Sequence, residues 1–434
     1  MLRKKFLFSV LCLFSILAGC AKKEDLTAKK TITVWHWMTD RENTFSELAS
    51  RYEAQTGLKV NFELYAPSDA YTQKVRASAQ ASTLPDIFGI LGEKRDLAAF
   101  IKAGHILELS GYLTENNSLW KNKFSEKALA VNEFASDNEF TITPGFYGIP
   151  IDVMTIQMLY NKDLFKKAGL NPEKPPRNWD EFIAAGTKLK SANIPGMVSG
   201  WGELWMVDCF ASNYAFNIMG PDKVMATFKG EVPYTDPDWI RVLRLFKDMQ
   251  ESGLLSSGIV TNVNKSAEQN FANNRAAFAF NGSWCVNVYK GMNPSLNYAA
   301  ILPPKVNENN PMLIWGGAGS SFIVNARSPN REEAVKFLKW LTDNQQQAEL
   351  AKDTNNLPAN KEVAKNIPPI LAQFADDIES TTHPSIWPAH EFPAVIEAFD
   401  KGIHSIIIAE KTPEQVAQEV QKIKERELTK KKSR

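Results

Sequence analysis

Tryptophans beside polar residues are the feature of this sequence that most directly suggests chemistry. The chain has 11 tryptophans, and six of them lie in or next to predicted irregular segments that contain glycine, proline or acidic residues. An indole face suits the C–H face of a sugar ring, and neighbouring carboxylates, amides and indole N–H groups bind its hydroxyls. Packing at the edge of the core explains any single one of them equally well. The six are Trp37, Trp201, Trp205, Trp284, Trp315 and Trp387.

Sequence signatures of catalysis are absent. The chain has no Gly-x-Ser-x-Gly elbow, no Walker loop, no His-Glu-x-x-His and no Cys-x-x-Cys. His390-Glu391 lacks the second histidine that a zinc site needs, so we expect no metal and no cofactor. The glycines from Gly316 to Gly319 could bind a phosphate. We favour a turn that lets the backbone approach a ligand or a neighbouring strand.

A secreted glycoside hydrolase is the enzyme alternative, because acidic residues are present near several of these tryptophans. Such an enzyme needs two carboxylates on either side of one glycosidic bond. Carboxylates also bind hydroxyl groups without catalysis. The candidates are Asp152, Glu203, Asp208 and Glu391.

Length and composition limit the remaining choices. The chain has 434 residues, which is enough for two domains. Hydrophobic residues make up 44% and charged residues 23%, as in ordinary globular proteins. The formal net charge of +1 gives no reason to expect binding to nucleic acid.

The first 30 residues have the pattern of a bacterial lipoprotein. A basic start is followed by an apolar run from Phe6 to Leu17 and then by Leu-Ala-Gly before Cys20. We expect residues 1–19 to be a signal peptide, Cys20 to be lipidated and 20–30 to be a tether. The remaining cysteines, Cys209 and Cys285, could form a disulfide or stay as two buried thiols.

The stretch from Tyr147 to Phe165 predicts a strand that is apolar on both faces, followed by a helix. Before it, residues 31–104 alternate between strand and helix patterns in the order β-α-β-α-β-α. That order predicts a parallel sheet, which binds ligands beyond the carboxyl ends of its strands. Trp37 to Asp40 and Gly89 to Glu93 follow two of those strands.

Several segments in a fixed order resemble the extracellular solute-binding proteins of ABC importers, in the sugar-binding class that includes maltose-binding protein. The resemblance covers nearly all of the chain after the predicted signal. Its order and spacing are more specific than any one match. The segments are ITVWHW…RYEAQTGLKV, LPDIF, YGIPIDVMTIQMLYNKDLFKKAGL with NWDEF, FANNRAAFAFNGSW, FIVNARSPNREEAVKFLKWLTDNQQQ and NNLPAN.

The resemblance implies an α/β protein of two lobes, a periplasmic-binding-protein fold of the type II kind. Each lobe would be a mainly parallel sheet flanked by helices, with the ligand cleft between the lobes. We assign 31–150 with 304–353 to lobe 1, 151–303 with 354–425 to lobe 2, and 426–434 to a charged tail. Ligand would favour closure by bending near Gly148 to Val153 and near Pro303 to Met312.

The resemblance also implies ligand contacts at matching positions. Met154 stands where maltose-binding protein places an acidic contact, and Asp152 lies two residues earlier, which argues against maltose. From the resemblance and the polar and aromatic pattern together, the candidate ligand-binding residues are Trp37, Thr39, Asp40, Glu93, Asp152, Trp201, Glu203, Trp205, Asn281, Trp284, Trp315, Gly316, Gly317 and Trp387.

The sequence therefore predicts a non-enzymatic binding protein outside the cytoplasm, anchored to a bacterial membrane by the lipid on Cys20. Its expected partners are a small carbohydrate and the transmembrane subunits of an ABC permease, and we expect a monomer that does not bind nucleic acid. Three alternatives stay open beside it: a polyamine or organic anion as ligand, the hydrolase, and a surface lipoprotein without a transport role.

Overall fold

A computed structural model of the chain describes residues 31–66, 68–91, 94–136, 138, 140–363, 367–382 and 390–432. The predictions for the signal peptide and tether, for Cys20, and for Glu93 and Trp387 lie outside these residues. The strands are β1 Thr31–His36, β2 Lys59–Leu64, β3 Ile87–Phe88, β4 Glu133–Phe134, β5 Gly145–Phe146, β6 Ile149–Asn161, β7 Met197–Val198, β8 Phe278–Gly282, β9 Tyr298–Ile301, β10 Gly316–Val324 and β11 Leu357–Pro358.

Helices cover both ends of the sheet and account for most of the remaining described chain. They are α1 Glu42–Thr56, α2 Ser68–Gln80, α3 Lys94–Lys102, α4 Ser110–Ser118, α5 Glu126–Ala130, α6 Lys162–Lys167, α7 Trp179–Ser191, α8 Leu204–Lys229, α9 Pro237–Ser252, α10 Asn264–Ala272, α11 Cys285–Met292, α12 Arg331–Leu341, α13 Asn344–Thr354, α14 Pro369–Ala375, α15 Pro393–Ile407 and α16 Pro413–Lys432.

Strand β6 belongs to two sets of strands. Its first half pairs with β10 and β11, and its second half pairs with β8 and β9. It is 13 residues long, and every residue except Met154 is buried. The prediction of a strand buried on both faces at this position is therefore confirmed.

The two sets differ in strand direction. In the first set β1 is parallel to β2 and to β3, as the β-α-β-α-β pattern predicts, and β10 runs antiparallel to β3. In the second set β7 is parallel to β8, but β8 and β9 are antiparallel to β6. The first set is thus parallel across β2, β1 and β3 and antiparallel where β10 and β11 join it, so that both sets are mixed rather than mainly parallel. The physical reason is that β10 and β11 return to β6 in the opposite direction.

The two sets meet at the middle of β6. The Thr155 carbonyl accepts a hydrogen bond from the Ser283 amide (2.9 Å), and the Ile156 amide donates one to the Trp315 carbonyl (2.8 Å). Successive residues of a strand direct their backbone groups to opposite edges. The chain just after β8 and the chain just before β10 therefore flank β6 at the same level on opposite edges.

Local signals in the sequence fix several helix starts. The Asn161 side chain accepts hydrogen bonds from the amides of Asp163 and Leu164 at the start of α6 (both 3.0 Å). Asn178 caps α7 in the same way. The predicted charged tail is helical to Lys432, as the last part of α16.

Hydrophobic residues form three cores among the described residues. The first surrounds α8, α9 and α15, the second runs from β1, α1 and α12 to α10 and α11, and the third lies between α2, β3 and α3. Cys209 lies in the first core and Cys285 in the second. Both are free buried thiols, which is the second of the two predicted alternatives, and no disulfide joins them. None of the helices in the described ranges combines the length and apolar character needed to cross a membrane.

The division of the chain into lobes at residues 150 and 353 stays a prediction. Strand β6 is continuous through Ile151. Beyond Thr354, Leu357 pairs with Val153, and Asn360 forms a bridge to Phe124. The chain just after α13 is thus in contact with the first set of strands.

The side chain of Gln347 joins α13 to the sheet. Its Nε2 donates to the Ile151 carbonyl (3.1 Å), and its Oε1 accepts from the amides of Ala359 (2.9 Å) and Asn360 (3.3 Å). Gln347 is fully buried. Because no water can replace these bonds, they hold the segment after β11 against β6.

We expect Gln347→Leu to lower the free energy of unfolding by about 1–3 kcal/mol, since it leaves buried backbone groups without partners. The matched control is Gln345→Leu, an exposed glutamine on the same helix, which we expect to change stability by less than about 0.5 kcal/mol. Urea unfolding followed by circular dichroism measures both. Equal effects of the two variants would contradict this role for Gln347.

Candidate functional site

Candidate residues of the first set lie just beyond the carboxyl end of β1. The half-buried ring of Trp37 lies 5.1 Å from the ring of Tyr71, centroid to centroid. A Cβ atom on Gly89 would lie 2.3 Å from Trp37 Cζ3, so the indole occupies space that only a glycine at the end of β3 leaves open. Thr39 and Asp40 follow Trp37 in an exposed turn.

Asp152 is bound by protein groups. Its carboxylate forms an ion pair with Arg41 Nη2 and accepts a hydrogen bond from the Ser320 amide. The side chains of Asp152 and Arg41 are only 5% and 7% exposed. Burial raises the pKa of Asp152, while the Arg41 guanidinium acts in the opposite direction. Asp152 thus joins β6 to the turn after β1, and its part as a ligand contact stays a prediction.

Asp40 lies on the other side of Arg41. Its Oδ2 accepts a hydrogen bond from Asn356 Nδ2 (3.0 Å) and lies 3.6 Å from Arg41 Nε. The Asp40 side chain is 40% exposed and can still reach a ligand. Next to this pair, burial and the Arg41 charge lower the pKa of His36 to about 4, so that this histidine is neutral at pH 7.

Candidate residues of the second set form one connected group at the ends of β8, α8 and α10. Glu203 Oε2 accepts from Trp205 Nε1 (3.1 Å), and Glu203 Oε1 accepts from the Asn264 amide (2.7 Å). The rings of Trp205 and Trp284 lie 6.2 Å apart, and Trp205 is 40% exposed. The structure therefore places two predicted sugar-stacking tryptophans side by side.

Glu268 accepts hydrogen bonds from three residues of this group, and the sequence analysis did not identify it. Its Oε1 accepts from Asn264 Nδ2 (3.0 Å), Asn281 Nδ2 (3.1 Å) and Trp284 Nε1 (3.2 Å). Burial and the charge of Glu203 raise the pKa of Glu268, and the three donors lower it. Only Asn264 among its partners lies in α10, four residues earlier, while Asn281 and Trp284 come from β8 and from the chain that follows β8. The local sequence therefore does not mark this glutamate.

Trp284 packs against a glycine at a strand end, as Trp37 does. Gly282 ends β8, and a Cβ atom there would lie 1.9 Å from Trp284 Cζ3. The indole therefore covers the glycine. Its N–H group bonds to Glu268, which fixes the orientation of the ring before any ligand arrives.

Other predicted site residues have structural positions. Trp201 is fully buried against Phe210 and Phe246, which places it inside the first core, around α8 and α9. Gly316 and Gly317 begin β10 and pair with β6. The backbone of these glycines therefore approaches a neighbouring strand, as we expected in preference to a phosphate loop. Trp315 comes directly before them in the chain, lies beside the middle of β6 and is half-buried.

Two of the four carboxylates considered for a hydrolase are neutralised by buried cations. Asp152 pairs with Arg41, and Glu391 pairs with Lys424, whose Nζ lies 2.7 Å from both Glu391 oxygens. Asp208 is buried within α8. Of these four, Glu203 lies at the tryptophan pair, where Glu268 is a second carboxylate.

One group of acidic side chains in the described ranges has the spacing of metal ligands. Oxygens of Glu47, Glu349 and Asp353 lie within 4.8 Å of one another. Arg51 already binds both oxygens of Glu349, however, so this exposed group is partly neutralised.

We expect Asp152→Asn to lower the free energy of unfolding by about 3 kcal/mol, because it leaves the buried Arg41 charge with only the partly exposed and more distant Asp40 as a partner. The matched control is Asp40→Asn, which removes an exposed carboxylate beside the same arginine and should cost less than about 1 kcal/mol. Urea unfolding at pH 7 compares the two. A stable Asp152→Asn protein with weaker ligand binding would instead show that Asp152 is a ligand contact.

We expect Gly282→Ala to displace the Trp284 ring and to cost about 1–3 kcal/mol, since the new methyl group overlaps the indole. The indole N–H resonance of Trp284 in a ¹H–¹⁵N spectrum should shift as its bond to Glu268 breaks. Gly291→Ala is the control, because a Cβ atom there meets nothing within 4 Å. An unchanged Trp284 resonance in Gly282→Ala would contradict the packing described above.

Known proteins share this architecture. The sequence model of the bacterial extracellular solute-binding protein family matches residues 47–382. A Brucella abortus protein named only as a binding protein is 27% identical over 411 residues, covering 92% of this chain and 91% of that protein. The multiple sugar-binding protein of Streptococcus mutans is 23% identical and covers 75% of both chains.

A solved structure of a chitin oligosaccharide binding protein superposes with a TM-score of 0.75 at 22% identity, covering 92% of this chain and 98% of that one. This agreement confirms the predicted two-lobed fold. Below, lobe 1 and lobe 2 denote the parts of the chain built on the first and the second set of strands. By the family match over residues 47–382, this chain belongs to the bacterial extracellular solute-binding proteins.

Proposed function

We propose that this chain captures a sugar or oligosaccharide between its two lobes and delivers it to the permease of an ABC importer. The observation that carries the proposal is the pair of Trp205 and Trp284, 6.2 Å apart, whose N–H groups bond to Glu203 and Glu268. Aromatic faces beside fixed carboxylates are suited to the two sides of a sugar ring. The names of relatives, such as the multiple sugar-binding protein of Streptococcus mutans, support the same ligand class.

The opposite wall of the proposed site is the turn after β1, with Trp37 and Asp40. A ligand that contacts both walls favours the closed arrangement, because it gains contacts there that the open one lacks. Bending near Gly148 to Val153 and near Pro303 to Met312 would allow this closure, since β6 and the segment between β9 and β10 connect the two lobes.

Binding without turnover is the proposed activity. A hydrolase needs an acid and a second carboxylate on either side of the scissile bond. Arg41 and Lys424 hold two of the candidates. The relatives named above are binding proteins.

The proposed location is the outer face of a bacterial membrane, with a lipid on Cys20. Support comes from the sequence Leu-Ala-Gly-Cys after a short apolar run. An anchor of this kind would keep the binding protein close to its permease after each ligand is released. One acyl chain binds a membrane only weakly, so a stable anchor requires more than one.

A thermal-shift screen of the protein without residues 1–20 tests the ligand class. Ligand at 100 times its Kd should add about 2.7 kcal/mol of stability. Trp284→Ala should then weaken binding by roughly tenfold or more, because stacking on an indole is worth about 1 kcal/mol beyond the buried area. Titration calorimetry measures this loss, and chromatography shows whether the sugar is recovered intact.

Trp340→Ala is the control, because Trp340 is also half-buried but packs on Tyr52 in lobe 1. It should leave the ligand affinity unchanged. Equal losses in both variants would contradict the proposed stacking role of Trp284. Recovery of a shortened sugar would point to a hydrolase instead.

A further inference from the structure

The two oxygens of Glu268 are used unequally. All three of its hydrogen bonds end on Oε1, from Asn264, Asn281 and Trp284. Among the described residues Oε2 has no hydrogen-bond partner, although the whole side chain is only 7% exposed. Oε2 is also not one of the fully enclosed unpaired atoms. It is thus a nearly buried acceptor that remains open at the tryptophan pair.

A second carboxylate lies beside it, and within the described ranges neither forms an ion pair. Asn264 bridges them, since its amide bonds to Glu203 and its side chain bonds to Glu268. Burial and the nearby Glu203 charge both raise the pKa of Glu268. Elsewhere the buried carboxylates of Asp152 and Glu391 have their own cations.

The open polar groups of this site are therefore acceptors. A sugar hydroxyl offers one donor and an acetamido group offers one, and both also present acceptor oxygens. A protonated amine offers three donors, no acceptor and a positive charge. A hydroxyl that donates to a carboxylate already forms a charge-assisted hydrogen bond, and an ammonium group adds the attraction between two opposite charges, while indole faces also attract cations.

We propose that the ligand carries a protonated amino group, which Glu268 Oε2 binds beside Trp284 and Glu203. This inference rests on the proposed sugar-binding function and makes the substrate an amino sugar. The ammonium supplies the positive charge that the two glutamates lack. Glu268 is then a specificity-determining residue, because it separates an amino sugar from the neutral sugar of the same shape.

The test uses three oligosaccharides of the same length and β-1,4 linkage, built from glucosamine, from N-acetylglucosamine or from glucose. The other probes are the monosaccharides galactosamine, N-acetylgalactosamine and galactose, together with spermidine. Titration calorimetry at pH 7 gives each Kd. We expect an amino sugar to bind at least tenfold more tightly than its hydroxyl counterpart. Glu268→Gln should weaken that binding by roughly 10- to 150-fold and should weaken the binding of neutral sugars by a clearly smaller factor, so that the preference for the amino sugar falls.

Glu181→Gln is the matched control, an exposed glutamate of lobe 2 whose carboxylate accepts from the Arg177 amide. It should not change any Kd. A measurement on the unmodified protein is independent of folding effects: binding of the amino sugar should weaken as salt rises from 0.05 to 0.5 M, while binding of neutral sugars should not.

The outcomes separate this inference from the proposed function. If a neutral sugar binds as tightly as its amino counterpart, or if Glu268→Gln weakens all sugars equally, the amino group is wrong and the sugar-binding function stands. If spermidine alone binds and Glu268→Gln abolishes its binding, the ammonium site is right and the sugar is wrong. If no probe binds, both proposals are wrong.

Discussion

The backbone of β6 is the constraint on which the rest of the molecule depends. Each half of this strand forms hydrogen bonds along both edges, with β10 and β11 in lobe 1 and with β8 and β9 in lobe 2. Backbone groups buried in a sheet must be paired. The chain therefore has to supply strands for both edges of both halves, and each lobe is completed by segments that return from far along the sequence.

The same pairing decides where the candidate site lies. Ser283 and Trp315 bond to adjacent residues in the middle of β6, so that β8 ends and β10 begins at the junction of the lobes. Trp284 follows one of these positions directly. A side chain placed there lies beside the level at which the two sets of strands meet on β6.

Glycines at strand ends leave the space in which two tryptophan rings pack. Trp37 covers Gly89 in lobe 1, and Trp284 covers Gly282 in lobe 2. A side chain at either glycine would overlap the indole. The rings are thus fixed by packing from one side, and in lobe 2 the bond between Trp284 and Glu268 fixes the orientation as well. A rigid aromatic face loses little conformational entropy when a ligand binds to it.

The sequence by itself determined the local elements and the fold class. The alternation of strand and helix in residues 31–104, the doubly apolar β6 and the caps at Asn161 and Asn178 all depend on neighbours within a few residues. The tryptophans next to glycine and acidic residues also predicted a sugar ligand. These signals are local, so one chain without any structure contains them.

Only the tertiary structure decided which of those residues meet. It placed Trp201 in a core, paired Asp152 with Arg41, and brought Glu268 of α10 under Trp284. Each result depends on burial or on a partner many residues away, and a side chain's type does not reveal whether its charge is already neutralised. The sequence therefore gives the kinds of groups present, while the fold decides which of them remain open to a ligand.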